Sequence, residues 1–246
     1  MKNKIIIKSF LLMLLASAFT IQVRSQELVK FYQGGKAGYK DQSGKVIVEP
    51  KYDAGSDFFE GMALVIQARK RGFINGKGEV AIPFQYDDAS VFKGGLAKVG
   101  KDKKYGYINK EGKVMIEMQY DFADDFINGL ARVSKGGKYG FIDPSGKEVI
   151  ALKYDNARNF GEGVAAVKEG AKWGFINEKG TFVIPAEYED AVIFYQNNAV
   201  VAKDGKRFFI DHNGKFVKDM PKHDEEEEMR GAKGGDKDKD KDKDKR

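Results

Sequence analysis

Two histidines, no cysteine and no serine carried through all the copies of its repeat are what this 246-residue chain offers to nucleophilic or metal chemistry. A nucleophile works only beside a base that a third group orients, and a zinc site needs closely spaced Cys and His ligands. His212 stands at the second position of a turn and His223 beside the acidic run 224–228, so neither requirement is met. The expectation is a protein that is not an enzyme and carries no metal or other cofactor. Gly34-Gly35-Lys36 and Gly136-Gly137-Lys138 have the composition of phosphate cradles, yet they open no helix and read as hairpin turns. Asp236, Asp238 and Asp240 alternate with lysines and lack the glycine and closing glutamate of a calcium loop, which leaves a solvating tail as the main reading.

Two repeated rows carry more information. The first is Asp53, Asp87, Asp121, Asp155 and Glu189, each following a tyrosine. Such a carboxylate caps the local turn that leads into the next Ala and Phe; the alternative is a ladder of cation sites, for which no second ligand recurs at fixed spacing. The second row is a pair of positions two apart: Ala37/Tyr39, Arg71/Phe73, Tyr105/Tyr107, Tyr139/Phe141, Trp173/Phe175 and Arg207/Phe209. Residues two apart on a strand share a face, and such aromatics ordinarily pack as core between units. The other reading makes the variable members Arg71, Tyr105, Tyr139, Trp173 and Arg207 a partly exposed ligand platform, because Tyr, Trp and Arg dominate binding hot spots.

What positions these rows is a 34-residue period without insertion, marked by Gly38, Gly72, Gly106, Gly140 and Gly174, with Phe208 in the sixth place. An aromatic follows each, then Ile in every copy but the first, then Asp or Asn. A helical hairpin has the same period, but 29 glycines would break it. Instead, four-residue blocks from Asp41–Gly44 to Asp211–Gly214 read as hairpin turns, with a hydrogen-bonding Asp or Asn first and a glycine last. A second hairpin precedes each block, in which Ala63/Val65, Ala97/Val99, Ala131/Val133, Ala165/Val167 and Ala199/Val201 alternate as a half-buried strand does. The expected fold is therefore all-β: a tandem repeat array of six three-stranded antiparallel meanders at roughly 28–48, 62–82, 96–116, 130–150, 164–184 and 198–217. Connectors built on Tyr52, Tyr86, Tyr120, Tyr154 and Tyr188, with Phe58, Phe92, Phe126, Phe160 and Phe194, bolt each unit to the next. An open, superhelical, solenoid-like stack is favoured because the pattern starts and stops at complete meanders. A six-bladed propeller-like ring is the alternative.

Lys172-Trp173-Gly174-Phe175-Ile176-Asn177, then Gly180, Val183-Ile184-Pro185, Tyr188, Ala191 and Phe194, resembles the WG-repeat family. The resemblance spans about residues 27–217 and departs at the tryptophan itself, where the other copies carry Ala37, Arg71, Tyr105, Tyr139 and Arg207. It implies a β-repeat array in an exported or surface-associated protein, and it brings no catalytic residues.

Residues 1–25 read as a signal peptide: Lys2, Lys4 and Lys8 precede an apolar core, Phe10 to Ile21, too short to span a bilayer. An uncleaved anchor is the other reading of that segment. Of 43 Lys+Arg against 37 Asp+Glu, this segment holds four positives, so its removal leaves 39 against 37 and no charge case for nucleic acid. Residues 26–218 form one repeat domain, held by packing alone since an exported chain without cysteine has no disulfides. Residues 219–246, ending in Asp-Lys pairs, are too charged to bury apolar surface and are expected to be disordered. The expected function is exported, non-catalytic binding or scaffolding of a protein or glycan of the cell envelope, in the periplasm, on the surface or in the medium, with no membrane span once the signal is removed. A purely structural envelope component without a specific ligand is the alternative.

Overall fold

The computed structural model describes residues 28–220. The segment read as a signal peptide, the Asp-Lys tail and His223 lie outside the described residues. All regular structure within them is β-strand. The first sheet is a meander of β1 (Val29–Gln33), β2 (Lys36–Lys40) and β3 (Val46–Tyr52). The second adds a strand at its edge, in the order β4 (Ala54–Gly55), β5 (Met62–Gln67), β6 (Lys70–Asn75), β7 (Val80–Tyr86). Four more four-stranded sheets repeat this order over 88–120, 122–154, 156–188 and 190–219. The expected all-β tandem array is thus present with one correction. The connectors do not merely bolt units together: each forms a two-residue strand on the sheet that follows, as Ala54 pairing with Ile66 and Gly55 with Val65 show.

The chemistry of the turns explains why these strands form. In each Asp/Asn-x-x-Gly block the first side chain accepts from backbone N–H groups further along the turn, for instance from Ser43 and Lys45 onto Asp41, while the glycine N–H closes the turn onto the first carbonyl. Five of the six preceding hairpins turn through two residues of positive φ, such as Ala68–Arg69 and Asp102–Lys103, and the fifth through Gly170 alone, geometries that match the twist of paired strands.

The repeated glycine answers to a bulge. In the third sheet Tyr105 pairs with Tyr120 and Tyr107 with Ile116, so one strand advances two residues while its partner advances four. The slack pushes the Ile116 carbonyl inward, onto the place where a β-carbon on Gly106 would stand. Gly38, Gly72, Gly140 and Gly174 meet the same obstacle. In the sixth sheet Phe208 pairs with Asp219 and Phe209 with Lys218 without that bulge, and a phenylalanine fits where glycine stood.

The core lies between sheets. One cluster joins Phe141, Ile150 and Tyr154 of the fourth sheet to Ala157, Ala165, Val167 and Ile176 of the fifth, and the other clusters repeat the pattern. Complete burial of each such aromatic or branched side chain stabilises by about 1.5–3 kcal/mol. The Tyr39 and Tyr107 hydroxyls donate to the Ser56 and Asp124 carbonyls of the following sheet. Burial, reinforced by nearby acidic and tyrosine groups, holds both well above the ordinary phenol pKa, so they remain neutral donors. Turn glycines complete each interface, Gly112 resting on Ile82, Gly146 on Ile116, Gly180 on Ile150 and Gly214 on Ile184.

At the ends this contact has no counterpart. Gly44, the equivalent glycine of the first sheet, would place a β-carbon with nothing within 4 Å of it. Among the described residues no strand pairing, ion pair or core cluster joins the sixth sheet to the first, so nothing there closes a six-bladed ring. The array has two ends, and each is capped. Lys40 stands where the other sheets have Ile74, Ile108, Ile142, Ile176 and Ile210, with its ammonium 5.8 Å from the Phe31 ring centre. Lys218 stands where they have Val48, Ile82, Ile116, Ile150 and Ile184, 5.1 Å from that of Phe209. A lysine lays its stem on the last aromatic and keeps its charge in water, as terminal units of an array require.

Candidate functional site

The variable column does not form a continuous exposed platform. Trp173, only 6% exposed, lies in the core between the fifth and sixth sheets with Tyr188 and Phe194. The Arg158 guanidinium covers it at 5.1 Å from its ring, itself held by the Ala191 carbonyl and the Asp190 carboxylate. Tyr105 and Tyr139 are half-buried: Lys98 sits over Tyr105, and Phe122 packs on Tyr139 at 6.1 Å. Arg71 is half-buried too and donates to the Asp87 carbonyl at 2.5 Å. Arg207, its side chain 54% exposed, pairs with Asp190 at 3.1 Å. These five residues line the seams between sheets, and the structure brings no two of them together, because the column advances by one sheet per repeat.

The carboxylate row is also taken up within the array. Asp53 reaches backwards to the Lys36 ammonium at 2.5 Å and forwards to the Ala68 N–H at 2.9 Å. Asp87, Asp121 and Asp155 pair in the same way with Lys70, Lys104 and Lys138 and with the N–H groups of Asp102, Gly136 and Gly170. The local-turn reading is therefore corrected: each of the four aspartates clamps the hairpin of its own repeat to the hairpin of the next, and Glu189 holds only the next hairpin, at the Asp204 and Gly205 N–H groups. The lysine hydrogen bond is the main cause that holds these carboxyls below the usual aspartate range. The Gly136-Gly137-Lys138 turn does hold an anion, and that anion is the chain's own Asp121.

A third column escaped the reading of the sequence. Between Phe58 and Met62 and their equivalents the chain makes a tight excursion closed by the bridges Phe59–Met62, Lys93–Leu96, Ile127–Leu130, Gly161–Val164 and Tyr195–Asn198. Its two central residues have positive φ in every copy: Glu60–Gly61, Gly94–Gly95, Asn128–Gly129, Glu162–Gly163 and Gln196–Asn197. Four of these tips put a variable side chain into solvent, with Phe59 45%, Ile127 37% and Tyr195 72% exposed and Lys93 exposed as well, while Gly161 leaves its place to Ile193 of the next sheet. The available signal was variation at a single position beside glycines that recur every 34 residues.

The tips are also linked from one repeat to the next. Glu60 of the second sheet places its two carboxylate oxygens on the N–H groups of Gly94 (2.6 Å) and Gly95 (2.9 Å) at the tip of the third. Glu162 of the fifth does the same to Asn197 of the sixth at 3.0 Å, where His212 joins it at 3.0 Å and stacks on Phe194. Between the third and fourth sheets position 94 is glycine, so no carboxylate is supplied. A pocket of about 290 Å³ opens there, with Gly94, Asn128 and Gly129 on its polar side. Lys93, Leu96, Phe126 and Pro144 make up the rest of its wall.

The family model described as WG containing repeat matches residues 38–70, 72–105, 105–139, 139–173 and 173–206. Curated proteins give no match in sequence. Among solved structures, Kluyveromyces lactis Hsv2 is similar at 11% identity over 76% of this chain and 72% of that one, with a TM-score of 0.45. PorZ, an essential bacterial surface component of the type-IX secretion system of Porphyromonas gingivalis, is similar at 8% identity over 80% of this chain and 31% of that one, with a TM-score of 0.38.

Proposed function

The chain belongs to the WG containing repeat family, and from that premise we propose that it is an exported, non-catalytic binding or scaffold protein that contacts a protein or glycan of the cell envelope. The observation that carries the reading is the column of tips. A framework whose glycines, turns and clamps repeat along the array presents a different residue at each tip: Phe59, Lys93, Ile127, Gly161 and Tyr195. Constant framework with variable display is how stacked repeats build extended recognition surfaces, and exposed aromatic side chains are the type that anchors them. Tyr105 and Tyr139 stand at the hairpin ends of their strands, opposite Gly100 and Ser134 and away from the tips, so they are not central to this surface. Export rests on the amino-terminal sequence, and the absence of catalysis on the lack of a nucleophile–base pair in the sequence.

The test is crosslinking with mass spectrometry in the native cell, comparing the natural chain with the combined Phe59→Ala, Ile127→Ala and Tyr195→Ala variant. Envelope proteins or glycans captured by the first and lost from the second are expected. Capture confined to cytoplasmic components would remove the proposal of export, and capture unchanged in the triple variant would remove the tips as the contact surface.

A further inference from the structure

We propose that the pocket between the third and fourth sheets binds a free carboxylate, and that its ligand is the C-terminus of a peptide ending in an apolar residue. The proposal deepens the reading of the chain as a binding module and rests on it. The protein itself demonstrates the chemistry. At the preceding interface, the tip N–H groups of Gly94 and Gly95 grip the Glu60 carboxylate with one oxygen each. At the last interface, the Glu162 carboxylate sits on the Asn197 N–H. The tip at Asn128–Gly129 has positive φ values, 51° and 82°, close to those of the carboxylate-holding tip at Gly94–Gly95, 61° and 79°. Successive N–H groups in this conformation form a concave nest for an anion. Yet the residue that would fill it is Gly94, and among the described residues the N–H groups of Asn128 and Gly129 reach no acceptor.

The surroundings specify the ligand further. In the register that puts Lys110 near the Glu60 carbonyl and His212 against the Glu162 carboxylate, this interface carries Pro144. His212 covers Phe194 at the last interface; here Phe126, half-buried, forms pocket wall together with Leu96 and Pro144. An anion-holding tip beside an apolar wall, with Lys93 at the rim, fits a terminal carboxylate and its own apolar side chain. An Asp or Glu side chain would bring the carboxylate without filling that wall. The following interface does not qualify, because Asn128 and Glu178 occupy the corresponding positions and Glu178 would repel an anion.

The experiment titrates N-acetyl-Ala-Leu, the same peptide as its C-terminal amide, and N-acetyl-Glu-amide into the 15N-labelled full chain. The amide resonances of Asn128 and Gly129 should move with the free acid. Binding of the amide should be weaker by about tenfold or more, as expected for loss of a charged hydrogen-bond acceptor, and that of the glutamate side-chain probe intermediate. Gly94→Glu should abolish the response by supplying the internal carboxylate; its backbone φ of 61° is close to that of Glu60, and a β-carbon there meets nothing within 4 Å. Pro144→Glu, which replaces part of the apolar wall with a repelling carboxylate as Glu178 does at the next interface, should weaken binding and serves if the first variant misfolds. Equal binding of acid and amide, a preference for the glutamate probe, or an unaltered response in a folded Gly94→Glu or Pro144→Glu variant would overturn the proposal. The cellular crosslinks separate it from the parent reading: if they survive while the peptide response is absent, the pocket falls and the envelope-binding role stands.

Discussion

The interior sheets and the sixth sheet descend from one sequence pattern and solve different problems. An interior sheet has neighbours on both faces. Its last strand bulges toward Gly106 or an equivalent on the strand before it, and its Ile116 or equivalent receives the turn glycine of the next sheet. Among the described residues the sixth sheet has a neighbour on one face only. There the bulge at the glycine position is absent, Phe208 replaces the glycine, and Lys218 replaces the isoleucine. The difference teaches that glycine, bulge and isoleucine form one device for carrying another repeat, since all three disappear together in the sheet that carries no further repeat among the described residues.

The most severe way to break the interior arrangement is to fill the glycine. Gly106→Val would drive a branched side chain into the Ile116 carbonyl and the Glu117–Met118 peptide, and loss of cooperative folding, followed by circular dichroism on heating, is expected. Close behind comes Ile116→Ala, which empties a buried site under Gly146 and should cost about 2–5 kcal/mol in denaturant unfolding. The same truncation at its terminal counterpart, Lys218→Ala, should stay within about 0.5 kcal/mol. If the two substitutions cost the same, the distinction between interior and end fails.

Making the ends resemble the interior sharpens the comparison from the other side. Lys40→Ile with Lys218→Ile restores the apolar face that each cap interrupts, and concentration-dependent end-to-end association should appear in sedimentation velocity when the natural chain shows less. Unchanged sedimentation would mean that the lysines do not act as caps.

A smaller effect is expected from the clamps that run along the interior. Asp53, Asp87, Asp121 and Asp155 have folded-state pKa values below those of the unfolded chain. Their contribution is therefore fully present above the unfolded carboxylate value of about 3.9 and is lost as pH falls through the lower folded values. Asp87→Asn combined with Asp121→Asn should lower Tm at neutral pH, and the gap from the natural chain should close in acid as pH falls below that unfolded value and through the folded ones. A gap that stays constant throughout that range would show that the charge on these groups is irrelevant to the clamp.

Much of this was legible in the residues. The 34-residue register, the turn blocks and the count of glycines excluded helix and set the strands, because backbone φ preferences and a period of two act over a few residues. The first copy was visibly the one without Ile after its aromatic, but the matching role of Lys218 was not read from the residues. Three other things were not legible. The edge strand Ala54–Gly55 and its equivalents are too short to show a period. The partners of Asp53 and Glu60 stand 15 to 35 residues away, so no local rule names them. The burial of Trp173 under Arg158 depends on how the fifth sheet meets the sixth.

The sequence by itself therefore determined the repeat, its all-β content and its turns, all of which follow from short-range sterics and patterning. Only the tertiary structure decided which residues face a neighbouring sheet. Stacking brings positions one repeat apart into contact, and that contact turns Glu60 into an internal ligand for the next tip while leaving the tip at Asn128–Gly129 open above Gly94.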